Sequence, residues 1–255
     1  MILRIRVCIP TYKNPLTIAS FVKDCLSLTQ FPILVVEDGS EVPIRTLLTE
    51  FTEHFKSGRL EVLRLEKNQG KGIALQSAIR ESIAKSYTHL LALDGDGQHF
   101  ASEIPKLVKA SEEHPWDLVI GNRRMEGPTV PEISKFGRKF SNFWVKFKTD
   151  ALVADSQSGF RMYPLFPLQT LRFHTKRFDF EIEVMIRFLW KGIAIREVEI
   201  AVHYPEAHER VSHSDKLWDN VRITFLNTLL IVISLLKAPK SPQSLALAVG
   251  VGVWV

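Results

Sequence analysis

Segments that predict strands alternate with segments that predict helices along the first 120 residues of this chain. Short apolar or alternating stretches are separated by longer stretches with helical periodicity. This alternation favours an α/β fold in which a mostly parallel central sheet is flanked by helices on both faces. Ligands of such sheets bind beyond the carboxyl ends of the strands. The residues that directly follow each predicted strand are therefore the candidates for a site.

The predicted elements have defined bounds. Strands are predicted at residues 2–9, 33–37, 60–65, 89–93 and 118–120, and helices at residues 15–28, 43–55, 72–86 and 103–113. Beyond Gly121 the alternation weakens, and the patterns predict a helix at residues 180–191 followed by a strand at residues 193–202.

Length and charge limit the function classes. A chain of 255 residues suffices for one large α/β domain with a small appendage. The net charge of +5 suits phosphate-bearing substrates or an anionic membrane face. It does not amount to the dense basic stripe of a nucleic-acid-binding protein, so no nucleic-acid partner is expected.

Two regions favour contact with a membrane. Apolar runs at residues 223–236 and 245–255 are each shorter than the ~18 residues of a spanning helix. We therefore predict one domain at residues 1–220 and an apolar helical tail at residues 221–255 that associates with the membrane and begins a truncated membrane domain. The basic, aromatic-rich stretch at residues 135–148 predicts either a helix that lies on the membrane or an amphipathic helix packed on the domain.

The sharpest candidate for chemistry is the sequence LALDGDGQH at residues 91–99. A predicted buried strand runs directly into Asp94, and Asp96 follows two positions later. In an extended segment both carboxylates project to the same side. Such hard oxygen ligands suit Mg²⁺ or Mn²⁺, which bind through one or two carboxylates together with substrate phosphates. The alternative is a solvated Asp-Gly turn after a strand.

Two other strand ends carry candidate residues. Asp38 follows the second strand, where it can accept a hydrogen bond from a nucleobase or act as a turn residue or N-cap. Lys71 lies between Gly70 and Gly72 at a predicted helix start, where it can hold a phosphate or shape a nucleotide site. The surrounding residues do not form a Walker loop, and no G-x-G-x-x-G follows the first strand, which disfavours a dinucleotide oxidoreductase.

Seven short motifs together resemble glycosyltransferase family 2. They are CIPTYKN at residues 8–14, VVEDGS at 35–40, NQGKG at 68–72, DGDGQH at 94–99, GNR at 121–123, DSQSGFR at 155–161 and EIE at 181–183. The similarity covers residues 1–220 and is greatest to the branch of dolichol-phosphate mannosyltransferase and polyprenyl-phosphate glycosyltransferases. Glu37 replaces the Asp that is more usual before Asp38, and residues 204–213 only approximate the family's basic motif.

The resemblance implies a GT-A fold, an inverting mechanism and a UDP- or GDP-hexose donor. It implies that the nucleotide-sugar is bound by Pro10, Thr11, Tyr12, Asp38 and Asp94. Lys71 joins these candidates because of its position at a helix start. It implies that Mg²⁺ or Mn²⁺ is held by Asp94, Asp96 and Gln98. The residues expected to take part in catalysis are Asp94, Asp96, Asp155, Arg123 and Arg210, with the two arginines placed at phosphates.

The acceptor decides whether a general base is required. A lipid phosphate is already an anionic nucleophile, whereas a sugar hydroxyl needs a base. Asp155 is the candidate base, and its alternative role is to anchor the loop that carries Ser158 to Phe160.

The leading interpretation is a bacterial cell-envelope enzyme at the cytoplasmic face of the membrane, peripheral or tail-anchored, that acts on a polyprenyl phosphate. Three rivals stay open: transfer to a glycan or glycolipid hydroxyl, a sugar nucleotidyltransferase, and a non-catalytic membrane scaffold with the same fold. The donor base and sugar, and the oligomeric state, also stay open.

Overall fold

The computed structural model describes residues 2–124 and 132–203. Within these residues, seven strands form one mixed sheet. The strands are β1 (Ile5–Thr11), β2 (Ile33–Asp38), β3 (Leu60–Leu65), β4 (His89–Ala92), β5 (Leu118–Arg123), β6 (Arg161–Pro164) and β7 (Ile195–Ile200). They lie in the order β3-β2-β1-β4-β6-β5-β7.

Helices and short helical turns connect the strands. The α-helices are α1 (Ile18–Leu28), α2 (Ile44–Leu47), α3 (Thr52–Lys56), α4 (Lys71–Ala84), α5 (Ile104–Glu113), α6 (Glu132–Thr149), α7 (Leu165–Leu168) and α8 (Asp179–Trp190). Short 3₁₀ helices occupy Thr49–Phe51 and Ala101–Glu103. Within the described residues none of these helices combines the length and the hydrophobicity needed to cross a bilayer.

Apolar side chains are buried on both faces of the sheet. Alternate residues of β1 point to opposite faces, so Val7 and Ile9 pack with α1 and α5, while Cys8 packs with α4 and α8. Two separate core clusters result, one on each side. This double burial confirms the predicted α/β architecture.

Strand β6 is antiparallel to both β4 and β5, whereas every other pairing in the sheet is parallel. Its four residues are all buried and show no alternation, and the strand carries Arg161 and ends at Pro164. The sequence therefore did not predict it. Because β6 runs against its neighbours, the loop that leads into it lies at the edge where β4 and β5 end.

The predicted helix at residues 43–55 is broken in the structure. The backbone leaves helical geometry at Leu48, with φ −110° and ψ 23°. Leu48 and Phe51 are both buried in the core cluster that contains α1. Tertiary packing of these two side chains therefore overrides the local helical periodicity. The predicted tail at residues 221–255 lies outside the described residues.

Candidate active site

The first predicted site residues come together at one edge of the sheet. Strand β1 lies between β2 and β4, and all three are parallel, so their carboxyl ends meet. Thr11, Asp38 and Asp94 therefore lie at the same edge of the sheet although they are far apart in sequence. Lys13 ties two of these strand ends together, because its backbone N–H donates to Ser40 Oγ at 3.1 Å.

The family residues at the end of β1 line this edge. Pro10 and Thr11 are buried in the strand, and Tyr12 follows it in a half-buried position. The Lys13 ammonium lies 5.6 Å from the centre of the Tyr12 ring. Thr11 Oγ1 is buried and has no hydrogen-bond partner among the described residues. The nucleotide-binding roles of Pro10, Thr11 and Tyr12 stay predictions.

Asp38 holds the loop that precedes α4. Its Oδ1 accepts the Gln69 N–H and its Oδ2 accepts the Gly70 N–H, each at 2.8 Å. Gly39, with φ +68°, lets the backbone after Asp38 approach Lys67 and Asn68 more closely than a side chain would permit. The observed contacts of Asp38 are therefore those of a residue that positions a loop, and its contact with a nucleobase stays a prediction.

Two glycines explain how the start of α4 approaches the segment before α8. A Cβ at Gly70 would lie 2.7 Å from Lys176 O, and one at Gly72 would lie 2.7 Å from Arg177 O. The Ile73 N–H also donates to Lys176 O at 3.1 Å. This close approach brings Lys71 beside the first turn of α8.

Lys71 joins three elements through two ion pairs. Its Nζ lies 2.5 Å from Asp94 Oδ1 and 3.1 Å from Glu181 Oε2. Burial disfavours the charged ammonium, but the two carboxylates outweigh burial and raise the pKa of Lys71 above its usual value. The lysine is therefore a fixed cation between β4 and α8.

The loop before β6 packs directly on this ion pair. A Cβ at Gly159 would overlap Asp94 Oδ2 and would lie 2.6 Å from Lys71 Nζ. Only a glycine fits at this position without displacing the carboxylate. Arg161 fixes the same loop, because its buried guanidinium donates to the carbonyls of Ser156, Ser158 and Glu181 at 2.6–2.7 Å.

Asp94 and Asp96 differ in their electrostatic environments. Burial would raise the pKa of Asp94, but Lys71 more than offsets burial and lowers it. Burial, together with the charge of Asp94, raises the pKa of Asp96 to about 6. The charge of Asp94 therefore disfavours ionisation of Asp96. Asp96 Oδ1 also accepts the Gln98 N–H at 3.0 Å.

His99 and Gln98 stabilise the turn after β4. The Asp94 N–H donates to His99 Nδ1 at 3.2 Å. Burial lowers the pKa of His99 to about 4, so its ring is neutral and can accept this bond. Gln98 O accepts the His203 N–H at 2.9 Å. Among the described residues no group of three acidic, histidine or cysteine side chains forms a complete metal site.

Arg123 and Asp155 form a closed pair at the end of β5. Arg123 Nε donates to Asp155 Oδ2 at 2.7 Å, and Nη2 donates to Oδ1 at 2.9 Å. Asp155 is fully buried and also accepts the Arg123 backbone N–H at 3.2 Å. These contacts are those of a residue that holds Arg123, and a role of Asp155 as a base stays a prediction. Arg210 lies outside the described residues.

Comparison with known proteins identifies the family. The protein-family model described as glycosyl transferase family 2 matches residues 6–172 of this chain. This chain belongs to glycosyltransferase family 2. The polyprenol monophosphomannose synthase of Mycolicibacterium smegmatis is 28% identical over 207 residues, which is 77% of this chain and 76% of that protein. The undecaprenyl-phosphate mannosyltransferase of Micrococcus luteus is 26% identical over 208 residues, with 78% and 83% covered.

Solved structures confirm the GT-A fold of this family 2 glycosyltransferase. Glucosyl-3-phosphoglycerate synthase from Mycobacterium tuberculosis, crystallised with Mn²⁺, UDP and phosphoglyceric acid, superimposes with a TM-score of 0.65. The match covers 91% of this chain and 78% of the other at 18% identity. At that identity the likeness concerns the fold alone.

Glu181 and Arg161 belong to two of the family motifs, but the sequence predicts no role for either. Both are buried. Arg161 connects the loop before β6 with α8, and Glu181 connects α8 with α4. A charged side chain inside an otherwise apolar stretch was the available signal. Glu181 pairs with Lys71, which lies 110 residues earlier in the chain. No local sequence pattern therefore identifies this partner.

Proposed function

We propose that this family 2 glycosyltransferase moves a hexose, with inversion, from a UDP- or GDP-sugar to a polyprenyl phosphate, in a reaction that depends on Mg²⁺ or Mn²⁺. The observation that carries the proposal is the charge balance at the end of β4. Two carboxylates, those of Asp94 and Glu181, form ion pairs with the Lys71 ammonium, and the charge of Asp94 also acts on Asp96. We refer to these four residues as the Lys71 cluster.

The charge of the Lys71 cluster suits a divalent cation. With all its groups ionised, three carboxylates and one ammonium leave two negative charges without a partner inside the cluster. Mg²⁺ and Mn²⁺ bind through one or two carboxylates plus substrate phosphates, so a complete protein cage is not required. Asp94 and Asp96, with Gln98, are the residues proposed to hold the ion. When bound, it would supply charge stabilisation for the departing diphosphate.

Residues of this chain would bind and orient the donor around that ion. Glycosyl transfer passes through an oxocarbenium-like transition state, and the nucleoside diphosphate gains negative charge as its bond to the sugar breaks. Asp155 fixes the Arg123 guanidinium through two hydrogen bonds. A fixed cation stabilises developing charge without reorganising, so we assign Arg123, together with Arg210, to the phosphates.

The hydrogen bonds and the burial of Asp155 favour a phosphate group as the acceptor. Both of its carboxylate oxygens accept hydrogen bonds from Arg123, and its side chain is fully buried. A general base must reach the proton that it removes. A lipid phosphate needs no such base, and the relatives named above bear the names of enzymes that act on polyprenol or undecaprenyl phosphate.

Helix α6 supports a location at the membrane. Phe140 and Phe143 are about half exposed, at 46% and 53%, and they pack against Trp144 at ring distances of 6.1 and 5.5 Å. Exposed Lys139 and Lys146 lie on the same helix. Aromatic side chains with flanking cations are typical of helices that lie on anionic lipid surfaces. We propose that the enzyme works at the cytoplasmic face of a membrane, peripheral or anchored by its tail.

The test is a transfer assay with purified protein. Radiolabelled UDP-glucose, UDP-N-acetylglucosamine and GDP-mannose are each offered with undecaprenyl phosphate, in Mn²⁺, Mg²⁺ or EDTA, and undecaprenol without phosphate is the matched acceptor control. We expect label in the lipid fraction only with the phosphate and a divalent ion, and a product anomer opposite to that of the donor by NMR. Equal transfer to undecaprenol would contradict the lipid-phosphate acceptor, and inactivity with every donor and both acceptors would favour a glycan acceptor or the non-catalytic scaffold.

A further inference from the structure

The buried carboxylate of Glu181 has a contact that the proposed function does not use. Glu181 lies in the first turn of α8 and is 3% exposed. Its Oε2 pairs with Lys71 Nζ at 3.1 Å. Its Oε1 is buried and has no hydrogen-bond partner among the described residues. A buried carboxylate with one unpaired oxygen is costly, and such a cost is tolerated where the charge serves another group.

The geometry points to Glu181 as a positioning residue, which holds the Lys71 ammonium against Asp94 so that Asp94 is oriented for the nucleotide-sugar and its divalent ion. This inference rests on the proposed function, because it assigns the purpose of the ion pair to the same site. Glu181 itself makes no contact with Asp94 among the described hydrogen bonds and ion pairs, and it acts through Lys71.

The backbone around Lys71 supports the contacts from Glu181 through Lys71 to Asp94. Gly70 and Gly72 allow the start of α4 to pack against the segment before α8, which places Lys71 beside Glu181. A lysine side chain is long and flexible, so one carboxylate would restrain it weakly. The second carboxylate, that of Glu181 on α8, restricts the ammonium to a position between the end of β4 and α8. Gly159 then limits the movement of Asp94 from the other side.

The same helix supplies a matched control. Glu183 lies two residues after Glu181 and is also fully buried. Its oxygens accept from the Thr175 N–H and Oγ1 at 3.0 and 2.7 Å, and from Arg187 Nε at 2.7 Å. These contacts hold α8 and the preceding loop, and none of them reaches Lys71 or Asp94. Loss of either glutamate removes one buried carboxyl group from α8, but only loss of Glu181 removes an ion-pair partner of Lys71.

The experiment compares Glu181→Gln with Glu183→Gln in the full chain. Mn²⁺ binding is followed by electron paramagnetic resonance, UDP and GDP binding by calorimetry with Mn²⁺ present, and unfolding by thermal melting. We expect Glu181→Gln to weaken Mn²⁺-dependent nucleotide binding by roughly 10-fold or more, the range of a lost charge-assisted hydrogen bond. Glu183→Gln is expected to lower the melting temperature more and to leave nucleotide affinity within about 2-fold, because its lost bonds lie outside the site.

A double-mutant cycle decides whether Glu181 acts through Lys71. Coupled residues give non-additive effects, so in a Lys71→Met background Glu181→Gln should change Mn²⁺ and nucleotide affinity by less than about 2-fold. A full effect in that background overturns the inference, because a long-range charge effect would not need the lysine. Equal nucleotide affinity in wild type and Glu181→Gln also overturns it, and leaves the proposed function intact.

Two further outcomes keep the test decisive. Wild-type protein that binds neither UDP nor GDP overturns the proposed function and the inference together. Should Glu181→Gln fail to fold, Glu181→Asp replaces it. The aspartate keeps the charge with a shorter reach, so it should bind Mn²⁺ and nucleotide less tightly than wild type, and wild-type affinity in that variant contradicts a positioning role.

Discussion

Two groups of charged side chains at the carboxyl edge of the sheet differ in how completely their charges are paired. The Lys71 cluster contains three carboxylates and one ammonium, and Glu181 keeps one oxygen without a partner among the described residues. Arg123 and Asp155, by contrast, form two parallel hydrogen bonds between one cation and one anion. Excess charge suits a ligand of opposite sign, whereas the pair fixes the position of the Arg123 guanidinium.

The comparison predicts different consequences for mutations in the two groups. Changes in the Lys71 cluster should affect ligand binding and transfer more than folding. Loss of the Asp155 carboxylate should affect folding first.

Asp96→Ala should reduce transfer by on the order of 1,000-fold, the size of effect seen when an electrostatic stabiliser of a transition state is removed. The carboxylate follows β4 on a turn, so its loss should leave the sheet intact. Steady-state transfer assays and circular dichroism measure both properties. Asp24→Ala, which changes an exposed helical aspartate, is the matched control. Full activity in Asp96→Ala would remove the metal assignment.

Asp155→Asn should destabilise the protein by about 3–5 kcal/mol, because it removes the carboxylate that forms two hydrogen bonds with the largely buried guanidinium of Arg123. Arg123 is 15% exposed at its side chain, so solvent compensates little. Chemical denaturation measures the free energy of unfolding. Asp117→Asn breaks a similar pair with Arg196, whose side chain is 47% exposed, and should cost no more than about 1 kcal/mol. Equal costs in the two variants would contradict the view of a closed structural pair.

Gly159→Ala should lower the rate of transfer by about 10- to 100-fold. Displacement of a positioned group by a fraction of an ångström or more lowers a reaction rate by a factor of this size. The added methyl group would overlap Asp94 and crowd Lys71. The corresponding Gly137→Ala change in α6 places its Cβ 3.6 Å from Gln157, an ordinary contact, and should leave transfer unchanged. Kinetic assays of both variants distinguish a local clash from a general intolerance of alanine.

Asp38→Ala should weaken donor binding by about 10-fold, because it removes the charge-assisted hydrogen bonds that hold the loop before Lys71. The catalytic rate at saturating donor should change less than the donor KM. Glu41→Ala, at the same edge, removes an exposed ion pair with Lys13 and should have no measurable effect. Unchanged nucleotide affinity in Asp38→Ala would show that loop position does not control the site.

The smallest expected effect is a pH dependence of stability in the metal-free protein. Burial and Asp94 raise the pKa of Asp96 to about 6 from an ordinary value of 3.8. A raised pKa in the folded state contributes stability below the ordinary value, and this stability is lost as the pH rises through 6. Asp96→Asn should therefore melt higher than wild type above pH 6, by on the order of 2–4 °C. The difference should shrink toward pH 4, and thermal melts with EDTA across this range test it.

Much of the fold was predictable because, in the first half of the chain, the local sequence patterns agree with the strands and helices that form. Buried strands such as His89–Ala92 and amphipathic helices such as Ile104–Glu113 follow from hydrophobic period and length alone. Strand β6 was missed because its burial depends on β4 and β5, and the break at Leu48 was missed because packing opposes local periodicity. The membrane role of α6 and the nucleotide contacts at the end of β1 stay predictions.

The sequence by itself determined the α/β alternation, the family and the position of Asp38, Asp94 and Asp96 at strand ends, because each depends on residues close together along the chain. Only the tertiary structure decided what these residues contact. Lys71 meets Glu181 across 110 positions, and Asp155 meets Arg123 across 32. Ion pairs form between groups that folding brings together. Their partners are therefore set by strand order and by close packing at glycines such as Gly72 and Gly159, and no local pattern specifies them.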